Sequence, residues 1–518
     1  MDRPGLRGTG ASAPPSRVSA RFQFAADVRV SVEYDDRSPI GGPLSPRLQE
    51  TMQRWTAPIA AAFRAHGAKY VVEHGPQLLR RTFDHPAFRH ATGQRAGGLP
   101  RRLVRVSRAS IRPREVMIAS PRRNQAVAVA CAAVPLQMIH DSIAELASGR
   151  FSIAGAAADL GEVLRDAALI QPATATRVSG RGAHATFLGH NAVLIRSGAS
   201  AILVDPWLVP ATDRTERYQP IPMTRLGNLD AIAITHSHPD HFDPGSLLQF
   251  DRRLRIFVPH VPEESLLSAD VAYRLRELGF EDVHELRWGA TSRIGDIQLT
   301  ALPFYGEQPT TGPQLFPEAR NWGNCYLVRT PDVRCALIAD SGQDRAGRVR
   351  DVAREAYLEW GSIDVLFSGY RGWQLYPVQF FESSVRQYLL FVPEESWGVR
   401  QSIMNTVDEA IDTAELWHAS YIVPYGDGGA PWYGELGLGP QFNAEGPVED
   451  EWQGFDARPE RVLQALAART MPVPGIRASS PVKGLLMRPG DSLRKRGSRL
   501  TIARTPPPYA WPWKEQAE

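Results

Sequence analysis

The chain has 518 residues, of which 43% are hydrophobic and 22% are charged, and its formal net charge is +3 at pH 7. This length predicts roughly two or three domains, and so small a net charge gives no support for nucleic acid as a partner. The three cysteines are widely spaced, which argues against a disulfide framework and excludes the four thiolates of an ordinary iron–sulfur cluster. Without a run of about 18 apolar residues or a signal-peptide core, we expect a cytoplasmic protein with no membrane span.

The first part of the chain is predicted to contain a tail and a separate domain. Residues 1–20 are rich in Gly, Pro, Ser and Arg, a composition that indicates a disordered tail. Residues 21–178 combine strand-like pieces such as Val28–Glu33 with helical ones such as Leu48–Ala65, as their periodicities indicate. We expect an N-terminal α+β domain there, which serves in docking or in dimerisation.

A run of arginines lies inside this N-terminal region. Alternation of apolar and basic residues in Leu103–Arg108 indicates a strand with one basic face. This face is either ordinary solvated surface or a docking patch for phosphate or an acidic protein, which arginine binds through two parallel hydrogen bonds. The arginines of the run are Arg95, Arg101, Arg102, Arg105, Arg108, Arg112, Arg114, Arg122 and Arg123.

A metal-binding pattern follows the apolar run Ala231–Ile234, which is predicted to be a buried strand. The next residues include His236, His238, Asp240 and His241, four metal-binding side chains within six positions. Side chains two apart in an extended segment point the same way, so the first two histidines can bind one ion and the other two residues a second ion. The alternative is a polar loop whose histidines are there by chance.

Three further stretches carry a resemblance to a known family. Phe187–Ile195 and Ala201–Trp207 look like the opening hairpin of the metallo-β-lactamase superfamily, and Ala336–Gly342 is similar to a later strand of that fold. The resemblance implies an α/β fold, an αββα sandwich over residues 179–440. It also implies that Asp205 orients the ligand loop and that Asp340 bridges two metal ions.

Two positions depart from the hydrolases of this superfamily. Where they carry a third histidine, Leu302–Gln308 offers only Glu307, and where they carry a last histidine, the chain offers Tyr425 or Asp427. The resemblance thus implies a dinuclear site, with Glu307 and Asp340 also acting in catalysis. Its expected metal ligands are His236, His238, Asp240, His241, Glu307, Asp340 and Asp427.

The expected donor set has a chemical consequence. Two histidines and one carboxylate with open positions suit non-haem iron, which favours two iron ions at this site. The alternatives are manganese or zinc, with Glu307 then an ordinary loop residue.

This pattern resembles the dinuclear non-haem iron monooxygenases of the chloramphenicol-pathway β-hydroxylase type. The resemblance implies hydroxylation of a C–H bond, with O₂ as cosubstrate and electrons from an external reductase. The implied substrate is an acyl or aminoacyl thioester on a carrier protein or coenzyme A, in a biosynthetic pathway such as that of an antibiotic.

Two other functions stay open at the level of sequence. One is a zinc or manganese hydrolase of the same fold, either a lactonase or a phosphodiesterase, which works through a metal-activated hydroxide. The other is a non-catalytic binding protein on the same scaffold. Residues 441–518 are rich in Pro, Gly and Trp and are predicted to form a C-terminal extension that covers the sandwich.

Overall fold

The structure is a computed structural model that describes most of the chain. The described residues are 20–36, 46–86, 111–174, 184–208, 223–306, 308, 320–372, 374–382, 386–426, 459–469, 482–497 and 499–504. Within them, no helix is long and apolar enough to cross a membrane.

The described residues of the N-terminal region form two small sheets and four α-helices. The first sheet has the order β5-β1-β6 and the second the order β2-β3-β4, both antiparallel. The strands are β1 (Arg21–Phe24), β2 (Arg29–Asp36), β3 (Ile111–Ser120), β4 (Gln125–Ala130), β5 (Phe151–Ser152) and β6 (Ile170–Pro172). The helices are α1 (Pro46–Glu73, kinked at Gly67), α2 (Gly75–Phe83), α3 (Leu136–Ala147) and α4 (Ala158–Asp166).

The first large sheet has eight strands in the order β12-β11-β10-β9-β8-β7-β22-β23. Its central strands are almost entirely apolar and buried, as expected for strands covered on both faces. The strands are β7 (Ala185–Gly189), β8 (Ala192–Ser197), β9 (Ser200–Val204), β10 (Ala231–Ala233), β11 (Arg255–Pro259), β12 (Val283–Leu286), β22 (Ser492–Arg496) and β23 (Arg499–Ala503).

The second large sheet has seven strands in the order β13-β14-β15-β16-β17-β20-β21. A small separate pair, β18 (Gln374–Leu375) and β19 (Gln401–Ser402), lies outside it. The strands of the sheet are β13 (Thr291–Ile294), β14 (Ile297–Pro303), β15 (Asn324–Arg329), β16 (Arg334–Leu337), β17 (Val365–Ser368), β20 (Tyr421–Pro424) and β21 (Lys483–Gly484).

The two large sheets face each other across a shared apolar core. Phe187 and Val204 of the first sheet belong to the same buried cluster as Leu299 and Phe367 of the second. Helices cover the outer faces, so the chain forms the predicted αββα sandwich. These helices are α5 (Met223–Leu226), α6 (Pro244–Leu247), α7 (Val271–Glu277), α8 (Val349–Trp360), α9 (Val407–Leu416) and α10 (Glu460–Arg469).

The N-terminal region packs directly on the first large sheet. Ile139 of α3 and Phe151 of β5 share a buried apolar cluster with Leu203 and Ile232 of that sheet. Strand β2 also touches helix α6, where a Cβ atom on Gly245 would lie only 1.9 Å from the carbonyl oxygen of Val30. The predicted boundary at residue 178 therefore separates two parts that share one core.

Helices α1 and α2 pack on a different part of the chain. Trp55 and Leu79 are buried against Tyr388 and Leu389, which belong to a short 3-10 helix, Arg386–Phe391. This segment follows β17 in the sequence, so the N-terminal region contacts both halves of the sandwich.

The described part of the predicted C-terminal extension belongs to the sandwich. Strand β22 pairs with β7, and β21 pairs with β20, so the two strands extend different sheets. An extension that only covered the sandwich would not form backbone hydrogen bonds with strands of the two large sheets. The structure thus gives residues 482–504 an integral place in the fold.

Candidate metal centre

The loop after β10 carries the histidine pattern, and it is buried along its length. His236 and His241 have no exposed surface, while His238 and Asp240 are also buried. The facing sheet fixes the start of the loop, because the hydroxyl of Tyr326 on β15 donates to the carbonyl of Ile234 at 2.8 Å. A buried loop of this kind holds its side chains in one arrangement, as a metal site requires.

Asp205 follows β9 and orients this loop, as the sequence predicts. One carboxylate oxygen accepts the backbone N–H of Thr235 at 2.7 Å, and the other accepts the Thr235 hydroxyl at 2.6 Å. The second oxygen also lies 2.8 Å from Nδ1 of His241. Since Nδ1 of His241 donates to Asp205, the lone pair on its Nε2 is directed at the centre of the cluster.

Asp340 comes from the second sheet, three residues after β16. Its Oδ2 lies 3.2 Å from Nε2 of His241, and its buried Oδ1 has no hydrogen-bond partner among the described residues. The backbone next to it is held by Tyr425, whose hydroxyl accepts the N–H of Ala339 at 2.8 Å. An unmatched carboxylate oxygen in a buried site is the feature expected where a cation binds.

The turn between β7 and β8 adds a residue that our sequence analysis did not select. Nε2 of His190 lies 2.8 Å from Oδ2 of Asp240. The neighbouring Asn191 places its Nδ2 3.2 Å from Nε2 of His190 and 3.1 Å from Nε2 of His241. Two polar residues in an otherwise apolar, buried hairpin were the available sequence signal.

The carboxylates and imidazoles of the cluster shift the pKa values of one another. Burial raises the pKa of Asp240, but the imidazoles of His241, His190 and His238 lower it by more than burial raises it. The pKa of Asp240 therefore lies well below its ordinary value. Burial likewise raises the pKa of Asp340, and His241 more than reverses this effect. The pKa of His241 is lowered by burial but raised by Asp340, Asp240 and Asp205, with a net rise. The site therefore presents ionised carboxylates.

The donor atoms fall into two groups that fit metal ions. Within each group the ligand atoms lie within 4.8 Å of one another, close enough for the group to hold one ion after small side-chain shifts. The two groups share His241. One consists of His190, Asp240 and His241, and the other of His236, His241 and Asp340.

Comparisons with known proteins agree with this geometry. Residues 200–374 match the model of the Beta-lactamase superfamily domain. The structure of CmlA, a diiron beta-hydroxylase from Streptomyces venezuelae, covers 94% of this chain and 100% of its own, with a TM-score of 0.56 and 16% identity. The chain carries a metallo-β-lactamase-fold domain.

Two of the relatives found by sequence are named for different activities. A 4-amino-L-phenylalanyl-(CmlP-peptidyl-carrier-protein) 3-hydroxylase of Streptomyces venezuelae is 29% identical over 189 residues, which are 35% of this chain and 33% of that protein. A UPF0173 metal-dependent hydrolase of Koribacter versatilis is 28% identical over 125 residues, or 24% of this chain and 47% of that protein. The aligned residues thus span between a third and a half of these relatives.

The metallo-β-lactamase fold brings most of the predicted ligands together. The ring centroids of His236 and His241 are 4.0 Å apart, and those of His236 and His238 are 4.7 Å apart. Asp240 and Asp340 each place Oδ2 near Nε2 of His241, at 3.9 and 3.2 Å. Two other predicted ligands, Glu307 and Asp427, lie outside the described residues.

Both sequence neighbours of Glu307 form a hydrogen bond to the same buried carboxylate, that of Asp344. Oδ2 of Asp344 accepts the backbone N–H of Gly306 and the side-chain amide of Gln308, both at 3.1 Å. Arg320 donates to the same oxygen at 2.6 Å, and its guanidinium lies over three aromatic rings, each with its centroid within 5.4 Å. These rings are those of Trp288, Tyr305 and Trp322.

Aromatic side chains surround the histidines. Phe304 lies against His236 with ring centroids 5.0 Å apart, and Trp207 lies 5.1 Å from His190. The hydroxyl of Tyr388 is 3.3 Å from Nε2 of His238. Since Tyr388 packs on α1 and α2, the N-terminal region supports one wall of the metal site.

Proposed function

We propose that this protein is a dinuclear non-haem iron monooxygenase that hydroxylates a C–H bond of a thioester-tethered acyl or aminoacyl substrate. The supporting observation is the buried cluster in which Oδ2 of Asp340 and Oδ2 of Asp240 lie 3.2 and 3.9 Å from Nε2 of His241. The chain that carries this cluster also matches the fold of a diiron beta-hydroxylase over 94% of its length. A 29% identical relative is named as acting on a carrier-protein substrate.

Different residues of the chain would bind each of the two ions. His236 and His238 would bind one ion and Asp240 and His241 the other, with Asp340 between them. Carboxylates beside imidazoles favour iron or manganese over a pure zinc site. Two iron ions bound there supply O₂ activation, with electrons from an external donor.

The surroundings of the cluster suit a reaction that must exclude water. Phe304, Trp207 and Tyr388 are buried beside the histidines, and the metal loop itself is buried. A low-dielectric wall strengthens the electrostatic contacts within the site. Asp205 keeps the Nδ1 proton of His241 in place, so that Nε2 remains a ligand.

Metal analysis tests the proposal directly. The protein is expressed in iron-supplemented medium, purified without oxygen and examined by elemental analysis and Mössbauer spectroscopy. We expect about two iron ions per chain, as the two donor groups suggest. Recovery of two tightly held zinc ions with full activity would overturn the iron assignment.

Glu307 is proposed as the carboxylate that completes the first ion's ligands. Glu307→Ala is then expected to lose metal and activity while the fold survives, since a loop ligand contributes little to the core. Glu307→His is expected to shift the preference toward zinc. Glu359→Ala, at an exposed glutamate of α8, is the matched control. Full metal content in the Glu307→Ala protein would show that Glu307 is an ordinary loop residue.

The arginines between Arg95 and Arg123 are proposed to dock the carrier. Arg105 and Arg108 lie outside the described residues, so their role rests on sequence. Reversing both to glutamate is expected to raise the Michaelis constant for a tethered substrate and weaken its salt dependence. Reversal of the exposed Arg287 and Arg293 serves as the control. Equal rates on free and tethered substrate would contradict the proposal.

A metal-dependent hydrolase is the second candidate. The observation that favours it is the 28% identity to a UPF0173 metal-dependent hydrolase. Such an enzyme needs no electron donor, because a metal-activated hydroxide attacks the substrate. Turnover of lactone or phosphodiester substrates under argon, with no O₂ consumption, would establish this function instead.

A further inference from the structure

His190 reaches the metal cluster from outside the histidine-rich loop. It lies in the turn between β7 and β8, and its side chain is buried. Its backbone carbonyl accepts the N–H of Gly426 at 2.9 Å, which ties the turn to the end of β20. The position of His190 is thus fixed by both sheets.

The distances around His190 are those of ligands that share an ion. Its Nε2 is 2.8 Å from Oδ2 of Asp240, and that oxygen is 3.9 Å from Nε2 of His241. Oδ2 of Asp340 is 3.2 Å from the same Nε2 of His241. Neighbouring ligands of an ion with bonds of about 2.1 Å are about 3 Å apart, and opposite ones about 4.2 Å.

The amide of Asn191 lies beside the same two imidazoles. Its Nδ2 is 3.2 Å from Nε2 of His190 and 3.1 Å from Nε2 of His241. The two Nε2 atoms and Oδ2 of Asp240 thus lie together in one part of the cluster.

The backbone of His190 is held in an uncommon conformation. Its φ is +51°, in the left-handed region that residues other than glycine rarely adopt. Such conformations persist where the surrounding structure fixes them, often at functional sites. Here the conformation delivers the imidazole to Asp240.

We propose that His190 is a ligand of the second metal ion, which it binds through Nε2 together with Asp240, His241 and Asp340. This assignment rests on the proposed dinuclear site. It gives that ion two histidines and two carboxylates, drawn from three separate loops or turns of the described chain.

The test uses the metal-free protein and Co²⁺ alone. Chelator-treated protein is titrated with Co²⁺ and followed by visible absorption and by proton NMR, in which each bound histidine gives a strongly shifted exchangeable ring proton. We expect His190→Asn to lose one such signal and to bind the second ion about 100-fold more weakly or worse, beyond the usual effect of an outer residue. Asparagine is chosen because it tolerates the left-handed backbone.

His418→Asn is the matched control. His418 also has a left-handed backbone, with φ +49°, but it lies at the surface beside Tyr357. It is expected to keep every shifted signal and both affinities. Circular dichroism establishes that each variant is folded, and His190→Gln supplies a second replacement if His190→Asn fails to fold.

The outcomes separate this inference from the proposed function. An unchanged set of shifted signals in a folded His190→Asn or His190→Gln protein overturns the ligand role, even if affinity falls tenfold, and leaves the dinuclear site in place. A wild-type protein that binds only one Co²⁺ ion overturns the dinuclear site and the assignment with it. Loss of one signal supports His190 whether the loaded enzyme is a hydroxylase or a hydrolase.

Discussion

At the scale of single residues, the site depends on side chains that hold the ligands rather than bind metal. Asp205 is the central example, because it bonds to the backbone and hydroxyl of Thr235 and to the ring of His241. One buried carboxylate thereby fixes the start of the loop and the tautomer of a ligand.

Asp205→Asn is expected to weaken metal binding by about 10–100-fold, because an amide cannot accept all three of these hydrogen bonds. Isothermal titration with Co²⁺ measures the effect. Asp230→Asn is the control, since Asp230 also accepts a strand N–H, that of Ala201 at 2.8 Å, but at the opposite end of the same strands. Equal affinities in the two variants would contradict the role given to Asp205.

At the scale of elements, the N-terminal region and the metal loop meet at α6. Asp243 begins this helix by accepting the N–H of Ser246 at 2.8 Å, two residues after His241. Strand β2 lies so close that a Cβ on Gly245 would meet the carbonyl oxygen of Val30. Through this contact, the position of β2 affects the position of the ligand loop.

Gly245→Ala is expected to destabilise the protein by about 1–3 kcal/mol, as overpacking against backbone usually does. Urea unfolding measures the free energy. Gly398→Ala is the control, because its nearest neighbour, Cγ of Pro76, lies 3.9 Å away at ordinary contact distance. A Gly245→Ala protein as stable as the control would show that β2 moves away at little cost.

A second junction between elements predicts a pH dependence. His140 of α3 is buried, and its ring nitrogens face the carbonyls of Leu278 and Phe250 at 3.1 and 2.9 Å. Burial lowers the pKa of His140 below its ordinary value of 6.5, although the two carbonyls act in the opposite direction. The unfolded chain therefore binds this proton first as the pH falls.

Wild-type stability is accordingly expected to exceed that of His140→Gln most above about pH 6.5. The difference should shrink as the pH falls below that value, because protonation favours the unfolded chain. Urea unfolding of both proteins between pH 8 and pH 5 measures the two curves. A difference that stays constant over this range would contradict the assignment.

At the scale of the whole molecule, the N-terminal region completes the sandwich. Ile139, Phe151 and Leu164 cover apolar residues of the first large sheet, while α1 and α2 cover the segment that contains Tyr388. The region predicted as a docking or dimerisation domain thus also closes the core. Any docking role would act through surfaces that this packing leaves exposed.

Removal of residues 1–178 is expected to prevent formation of a folded monomer, because it exposes the apolar outer face of the first sheet. Near-ultraviolet circular dichroism and binding of a hydrophobic dye measure the loss. Removal of residues 1–19 alone is the control, expected to keep the fold. A stable, metal-binding fragment that starts at residue 179 would show that the two parts are independent domains.

The sequence by itself predicted the ligand loop, because a short apolar strand followed by His236, His238, Asp240 and His241 lies within a few consecutive residues. Residue type and spacing were sufficient for that prediction. The sandwich and the role of Asp205 were instead implied by the resemblance to the metallo-β-lactamase superfamily.

Only the tertiary structure showed that His190 lies beside Asp240. It also showed that β21 and β22 belong to the two large sheets. His190 lies in another hairpin, and the partners of β21 and β22 are β20 and β7, far away in the chain. Pairing over such separations leaves no periodic signal in the strand itself, because strands of two residues or of mostly polar residues look like loops in the sequence. The sandwich decides these contacts, because only its closure brings the distant segments into register.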